Sequence, residues 1–189
     1  AKYEFNGTGT RGPSIADMFA LVRQHMTARD ITRLLDAVIF NIAIGNVDSH
    51  AKNYSILLGP GAPQLAPLYD LMSGLAWTNI TQNHAQAIGG QRRGRHIYGR
   101  HWWRMAEAAG LAARGTVQRV DQVTARLLRE LLASVEEVEA MPAGSTMLSI
   151  FAKEIEERAT EVRAHAEQEG GNHITEDAPE QADILDQRK

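Results

Sequence analysis

A mainly α-helical domain with a small β element, an α+β fold, is the class this sequence predicts, and three observations predict it. Apolar residues recur at helical spacing in five separate stretches. One short apolar run, 54–58, precedes Gly59-Pro60-Gly61-Ala62-Pro63, a turn signal between strands. The chain has 189 residues, 43% of them hydrophobic, which supports one domain with a sizeable core plus a tail. Neither an internal repeat nor a linker to a second domain is visible.

The elements follow in order. Ser14-Ile15-Ala16-Asp17 reads as a helix N-cap, and Ile15, Met18, Phe19, Val22 and Met26 place a first helix at about 14–26. The next begins near Asp30. Ile31, Leu34, Leu35, Val38, Ile39 and Ile42 line one face while Phe40 and Ile44 fill another, so this should be a buried central helix. It ends at Gly45 and presents residues 46–53 as a loop on a rigid support. A strand at 54–58 and a pairing run at 65–69, short or at an edge because of Pro67, form a hairpin that brings Asp70 near Asn53.

Beyond the hairpin the sequence predicts a helical turn at 70–77, an extended segment at 85–88 and a helix at 98–109. A long amphipathic helix at 116–139 carries Val120, Thr124, Leu127, Leu131, Val135 and Val138 on one face, and Pro142 and Gly144 close it. Leu148, Phe151, Ile155 and Val162 mark a final helix, with Glu154, Glu157, Arg158 and Glu161 opposite. From about Gly170 the chain is polar, without apolar periodicity, and reads as a disordered tail.

The central loop carries the chemistry. Asp48 and Asn53 stand five residues apart, and Asp70 arrives after an apolar run. A hydroxyl nucleophile needs a carboxylate to take or orient its proton, and Mg²⁺ needs hard oxygen ligands beside the nucleotide phosphates. Asp48 as base with Asn53 and Asp70 as metal ligands repeats the order used in protein kinases. The same residue types also populate any polar turn between a helix and a strand.

The run 44–58, with 65–71 after it, closely resembles the C-terminal lobe of HipA-like toxin kinases. Gly12-Pro13-Ser14 upstream, and Ala87-Ile88-Gly89-Gly90, Trp103 and Ala109-Gly110-Leu111 downstream, fit the same family. The likeness covers about residues 1–140. It implies a bacterial, cytoplasmic serine/threonine protein kinase, the toxin of a toxin–antitoxin system linked to persistence. Asp48 would be catalytic, Asn53 and Asp70 would hold Mg²⁺, His50 would lie near the ATP phosphates and Tyr69 would border the nucleotide. Lys52, inside the motif, joins the cofactor-binding residues. Residues 1–168 would form the lobe and 169–189 the tail. Partners implied are a protein substrate and an antitoxin-like DNA-binding protein. Asn46 stands where kinases usually have His, and Leu71-Met72 replaces Phe-Gly after the second Asp; both departures suit this family.

A kinase N-lobe covers the adenine and supplies a Lys to the phosphates. The only lysines are Lys2, Lys52, Lys153 and Lys189, none on a strand after a glycine-rich loop. Gly7-Thr8-Gly9-Thr10-Arg11-Gly12 matches G-x-G-x-x-G but reads as a turn before the first helix. The N-lobe is therefore expected to be missing, and the chain to be inactive without it. A longer gene product, a separate completing polypeptide or a degenerate remnant would each account for this.

Composition excludes other classes. There is no cysteine, hence no disulfide or thiolate zinc site, which fits a reducing cytoplasm. The seven histidines lack zincin spacing, and no serine sits in a nucleophile elbow. The longest apolar stretch, 37–45, contains Asn41 and falls far short of the roughly 20 residues a membrane span needs. No secretory signal is visible, and the opening residues look like the start of a cut segment.

Net charge is −3, but no Asp or Glu lies between Asp70 and Glu107. That gap holds Arg92, Arg93, Arg95, Arg100 and Arg104 among aromatic residues, a mixture able to contact nucleic acid. A solvated basic loop before a helix whose tryptophans pack inward is the reading preferred here. Two further functions compete with the kinase: a noncatalytic module binding an antitoxin-like protein or nucleic acid through the 92–104 region, and a small-molecule phosphotransferase.

Overall fold

The computed structural model describes residues 1–5, 9–141 and 147–168. Helices α1 (Ile15–His25) and α2 (Ala28–Ala43) lead into the loop, and two strand pairs follow: β1 (Ile56–Leu57) with β2 (Gln64–Leu65), and β3 (Asn83–Ile88) with β4 (Gln91–Arg93). Both pairs are antiparallel. Helices α3 (Gly99–Ala108), α4 (Ala113–Glu139) and α5 (Met147–Ala166) complete the order. This is a mostly helical α+β architecture, as the sequence predicts.

Helix α2 is the central one. Leu34, Val38, Ile39 and Ile42 are buried against Phe19 and Val22 of α1, Ile88 of β3, Trp102 and Met105 of α3, Val120 of α4 and Val162 of α5. Removing large side chains from such a core costs several kcal/mol, so the loop that α2 ends in rests on the packed core. The caps are local. Ser14 and Asp17 form the expected capping box. α2 starts earlier than Asp30, because Thr27 and Asp30 form a second box.

Asp30 also joins α2 to the hairpin. Its Oδ1 accepts from the Leu65 amide at 3.2 Å, and its Oδ2 accepts from the Thr27 hydroxyl at 2.6 Å. The Thr27 hydroxyl foremost, then the Leu65 amide, hold this carboxyl below its ordinary range against the opposing effect of burial. A depressed folded-state pKa contributes stability that is complete above the unfolded value, about 3.9, and disappears as pH falls through the folded value. Asp30→Asn is therefore expected to lower stability by about 1 kcal/mol near neutrality. It should also flatten the acid limb of stability below about pH 4, checked by urea denaturation across pH.

Four expectations need correction. Residues 70–77 form no helix: Asp70 opens the segment with φ +56°, the Gly74 amide donates to the Gly45 carbonyl at 3.0 Å, a tertiary bond in place of a helical one, and only an isolated turn closes at 74–77, where the Trp77 amide donates to the Gly74 carbonyl at 3.2 Å. Trp102 is fully buried but Trp103 is 47% exposed, because consecutive residues lie on different faces of α3. On α4, Thr116, Val120 and Thr124 are buried, while the distal Val138 is exposed. The pairing run contracts to Gln64–Leu65, although the Ala66 amide still donates to the Ser55 carbonyl at 2.9 Å. Pro67, lacking an N–H, cannot continue it.

The Gly7–Thr8 part of the glycine-rich run, Pro142 and Gly144, and the 169–189 tail lie outside the described residues. What is described of that run folds back on the N-terminal segment. Gly12 donates to the Glu4 carbonyl at 3.3 Å, Arg11 pairs with Glu4, and a Cβ at Gly12 would overlap the Tyr3 carbonyl. Among the described residues no helix is long and apolar enough to cross a membrane.

Candidate active site

The loop is built by the way α2 ends. Gly45 takes φ +67°, and a Cβ there would overlap the Leu75 side chain. Its amide donates to the Ile42 carbonyl at 3.2 Å, and the Asn46 amide donates to the Asn41 carbonyl at 2.8 Å. This pair of bonds is a Schellman motif, which only a residue at ease in the left-handed region can close. The chain leaves the helix at a defined angle, and Asn46 is set with it.

Asn46 then ties three segments together. Its Nδ2 donates to Asn41 Oδ1 at 2.8 Å and to the Asp70 carbonyl at 3.1 Å. Asn41 in turn donates to the Tyr54 hydroxyl at 3.1 Å. From the other side, Asn53 Nδ2 donates to Asp70 Oδ2 at 2.8 Å and lies 3.4 Å from the Asp48 carbonyl oxygen. Two asparagines thus hold Asp70 by its backbone and by its side chain. Asp70 is the sole non-glycine residue with positive φ among the described residues. A left-handed Asp costs free energy that its surroundings must offset, and such strain concentrates at functional sites.

Asp48 is half-buried, and the Tyr3 hydroxyl donates to its Oδ1 at 2.6 Å. Burial first, then this bond, raise the Tyr3 phenol above its ordinary range, so it stays a neutral donor near pH 7. The ring of Tyr3 also stands edge-on to buried His50, 5.3 Å between centroids. The N-terminal segment is anchored there by the Ala51 amide, which donates to the Lys2 carbonyl at 3.1 Å. Strand β3 backs the loop through Gln86. With its amide turned to satisfy both neighbours, Gln86 donates to the Ser49 carbonyl at 2.8 Å and accepts from the Ala51 amide at 3.0 Å.

The structure therefore brings Asp48, Asn53 and Asp70 onto one loop cluster, with His50 just behind Asp48. Lys52 and Tyr69 are exposed and joined to each other, the Tyr69 hydroxyl donating to the Lys52 carbonyl and sitting 2.7 Å from Ser55 Oγ. Sequence reasoning did not single out Tyr3, Gln86 or His84, and took Asn46 only as a departure from the kinase pattern. No spacing rule connects Tyr3 to Asp48, 45 residues away. Its only signal was its place in a short polar-aromatic run at the start of the likeness.

The donor set suits Mg²⁺. Among the described residues no three His, Asp or Glu side chains cluster as metal ligands. What exists is one amide carbonyl and one carboxylate, a pair that would need phosphates and water to complete an octahedron around Mg²⁺.

Comparison with known proteins gives concordant results. The model of the HipA-like C-terminal domain family matches residues 1–131. A Sinorhizobium fredii protein named "Putative kinase Y4mE" is 32% identical over 154 residues, 80% of this chain and 37% of its own length. The serine/threonine-protein kinase toxin HipA of Shewanella oneidensis is 29% identical over 136 residues, 67% of this chain and 31% of its own. The chain thus spans about a third of these relatives. A solved chain from the HipA, HipB and operator DNA complex of Shewanella oneidensis superposes with a TM-score of 0.73 at 22% identity, covering 86% of this chain and 42% of that one.

Proposed function

Because this chain belongs to the HipA-like C-terminal domain family, we propose that it is the catalytic lobe of a serine/threonine protein kinase, phosphorylating a protein with ATP and Mg²⁺. The observation that carries the reading is the Asn53–Asp70 bond at 2.8 Å, which closes Asp48, Asn53 and a left-handed Asp70 into one site. Asp48 would accept the proton of the attacking hydroxyl on its second oxygen, since Tyr3 holds the first. Asn53 through Oδ1, and Asp70 through its carboxylate, would bind Mg²⁺. His50 and Lys52 would lie toward the phosphates and Tyr69 would flank the nucleotide. Bound there, MgATP would supply the γ-phosphoryl group.

The reading includes a completing N-lobe. Leu57, Leu58, Leu68, Leu71 and Met72, on the hairpin and beside Asp70, are exposed. A groove of about 820 Å³ between α2, β2 and α4, lined in part by Phe40, Leu65, Leu68, Leu71 and Leu127, adjoins them. Exposed apolar surface of this kind marks an interface. An antitoxin-like DNA-binding protein is the further partner the family suggests, as HipB accompanies HipA in the Shewanella complex.

The test supplies the chain with an N-lobe, fused or as a separate polypeptide, and follows phosphate from labelled ATP onto a serine- or threonine-containing protein. Transfer that requires both parts is expected. Absence of nucleotide binding by calorimetry, even with the N-lobe present, would refute the reading in favour of a noncatalytic module.

A further inference from the structure

A line of buried polar groups runs from α5 to Asp70. Arg158 of α5 is 4% exposed and His84 of β3 is 1% exposed, and both press on Gly94, where a Cβ would overlap Arg158 Nη1 and come within 3.0 Å of His84 Nε2. His84 Nδ1 lies 3.2 Å from the Asn46 carbonyl oxygen. Asn46, itself 1% exposed, donates to the Asp70 carbonyl. We propose that His84 and Arg158 are positioning residues for Asp70, acting through Asn46. The inference rests on the phosphotransfer reading for its purpose, but its geometry stands apart from it.

The chemistry is directional. A carbonyl can only accept, so His84 must carry its proton on Nδ1 to bond Asn46, which leaves Nε2 as a bare lone pair. The Arg158 guanidinium lies on that side, and a cation there opposes a second proton on the ring. Burial foremost, then Arg158, push the His84 pKa down to about 3, so the ring is neutral at any working pH. Nε2 has no donor, and Arg158 Nε and Nη1 have no hydrogen-bond acceptor, although Glu161 forms an ion pair with the guanidinium at 3.6 Å. Buried groups left this way are costly and are kept where they do something beyond stabilising the fold. Arg92 secures the strand from outside, its Nε donating to the His84 carbonyl at 3.1 Å. With the Asn46 peptide held by His84, the Asn46 amide is aimed at Asp70, and the left-handed conformation of Asp70 is over-determined. Arg158 lies beyond residues 1–131, so α5 adds to the site from outside the stretch the family model matches.

The test uses the full chain, ¹⁵N-labelled, as wild type, H84N, H84L and R158M. Asparagine places an amide nitrogen where Nδ1 was, so it keeps the bond to Asn46; leucine cannot. H84L is expected to move the Asp70 and Asn53 resonances and, with ATP and an N-lobe supplied, to weaken Mn²⁺ binding about 10-fold, as loss of outer partners of metal ligands does. H84N should return both toward wild type. R158M removes the cation that opposes a second ring proton, so His84 should protonate at a higher pH than in wild type, read from the ring ¹⁵N shifts across pH. Asp70 resonances unmoved in H84L, or H84N no better than H84L, would overturn the proposal. If H84L does not fold, unchanged ring shifts in R158M together with an altered Asp70 in H84N would overturn it. If the wild type, supplied with ATP and an N-lobe, binds no Mn²⁺, the phosphotransfer reading fails, and the Asp70 resonance alone decides this one.

Discussion

Asp48→Asn, in the chain completed by an N-lobe, is expected to lower phosphoryl transfer by about 10²–10⁴-fold while fold and nucleotide affinity stay near wild type. Asparagine has the shape of Asp48, and its Oδ1 can still accept from the Tyr3 hydroxyl, so the 2.6 Å contact and the edge-on packing of Tyr3 against His50 survive. What is lost is the second oxygen as a proton acceptor, because an amide nitrogen donates and cannot take a proton from a substrate hydroxyl. The effect should fall on kcat, since a base acts in the transition state rather than in substrate binding. Steady-state kinetics with thermal unfolding on the same samples checks this. Full activity in the variant would remove Asp48 from the chemistry.

That Asp48 could be found at all depends on how its loop is coded. Helix ends are written in neighbouring residues: Ser14 with Asp17, and Gly45 after an apolar helix, are short-range signals because caps bond within a few residues. The Asp48–Asn53–Asp70 order is legible for a related reason, since both ends of a short hairpin must meet. The Thr27 cap was present in the sequence too, but Asp30, the third residue of the helix, drew attention from it.

What stayed hidden is long-range or depends on surroundings. Residues 70–77 contain good helix formers, yet the Gly74 amide is taken by Gly45 and the backbone is set by Asn46, so tertiary bonds outweigh propensity. Trp102 and Trp103 are chemically alike, and only the position of α3 against α2 decides which is buried. Tyr3 and His84 come from distant parts of the chain, and their bonds to the loop have no sequence period to reveal them, nor does the approach of Arg158 to Gly94. Asn46 is the telling case. Read as a missing kinase His, it is in the structure the hub that joins α2, Asp70 and β3.

Asp70 itself yields the sharpest expectation, because activity should collapse while stability hardly moves. Asp70→Gly removes a side chain from φ +56°, where an L-residue pays roughly 1–2 kcal/mol that glycine does not. It also removes the carboxylate that accepts from buried Asn53 at 2.8 Å, a part-buried bond to a charged group worth about 1.5–3 kcal/mol. The two terms nearly offset, so the fold should be unchanged or about 1 kcal/mol less stable, while Mg²⁺ loses a charged ligand and phosphoryl transfer falls by orders of magnitude. Asp70→Asn separates the two effects: asparagine tolerates the left-handed region and can keep a polar contact with Asn53, but it lacks the charge. It should match wild type in stability and resemble Asp70→Gly in activity and in weakened Mg²⁺ dependence. Chemical denaturation paired with a Mg²⁺ titration of the rate checks both variants. A strongly destabilised Asp70→Gly would mean that the Asn53 contact, rather than the metal, is the reason for an aspartate at this position.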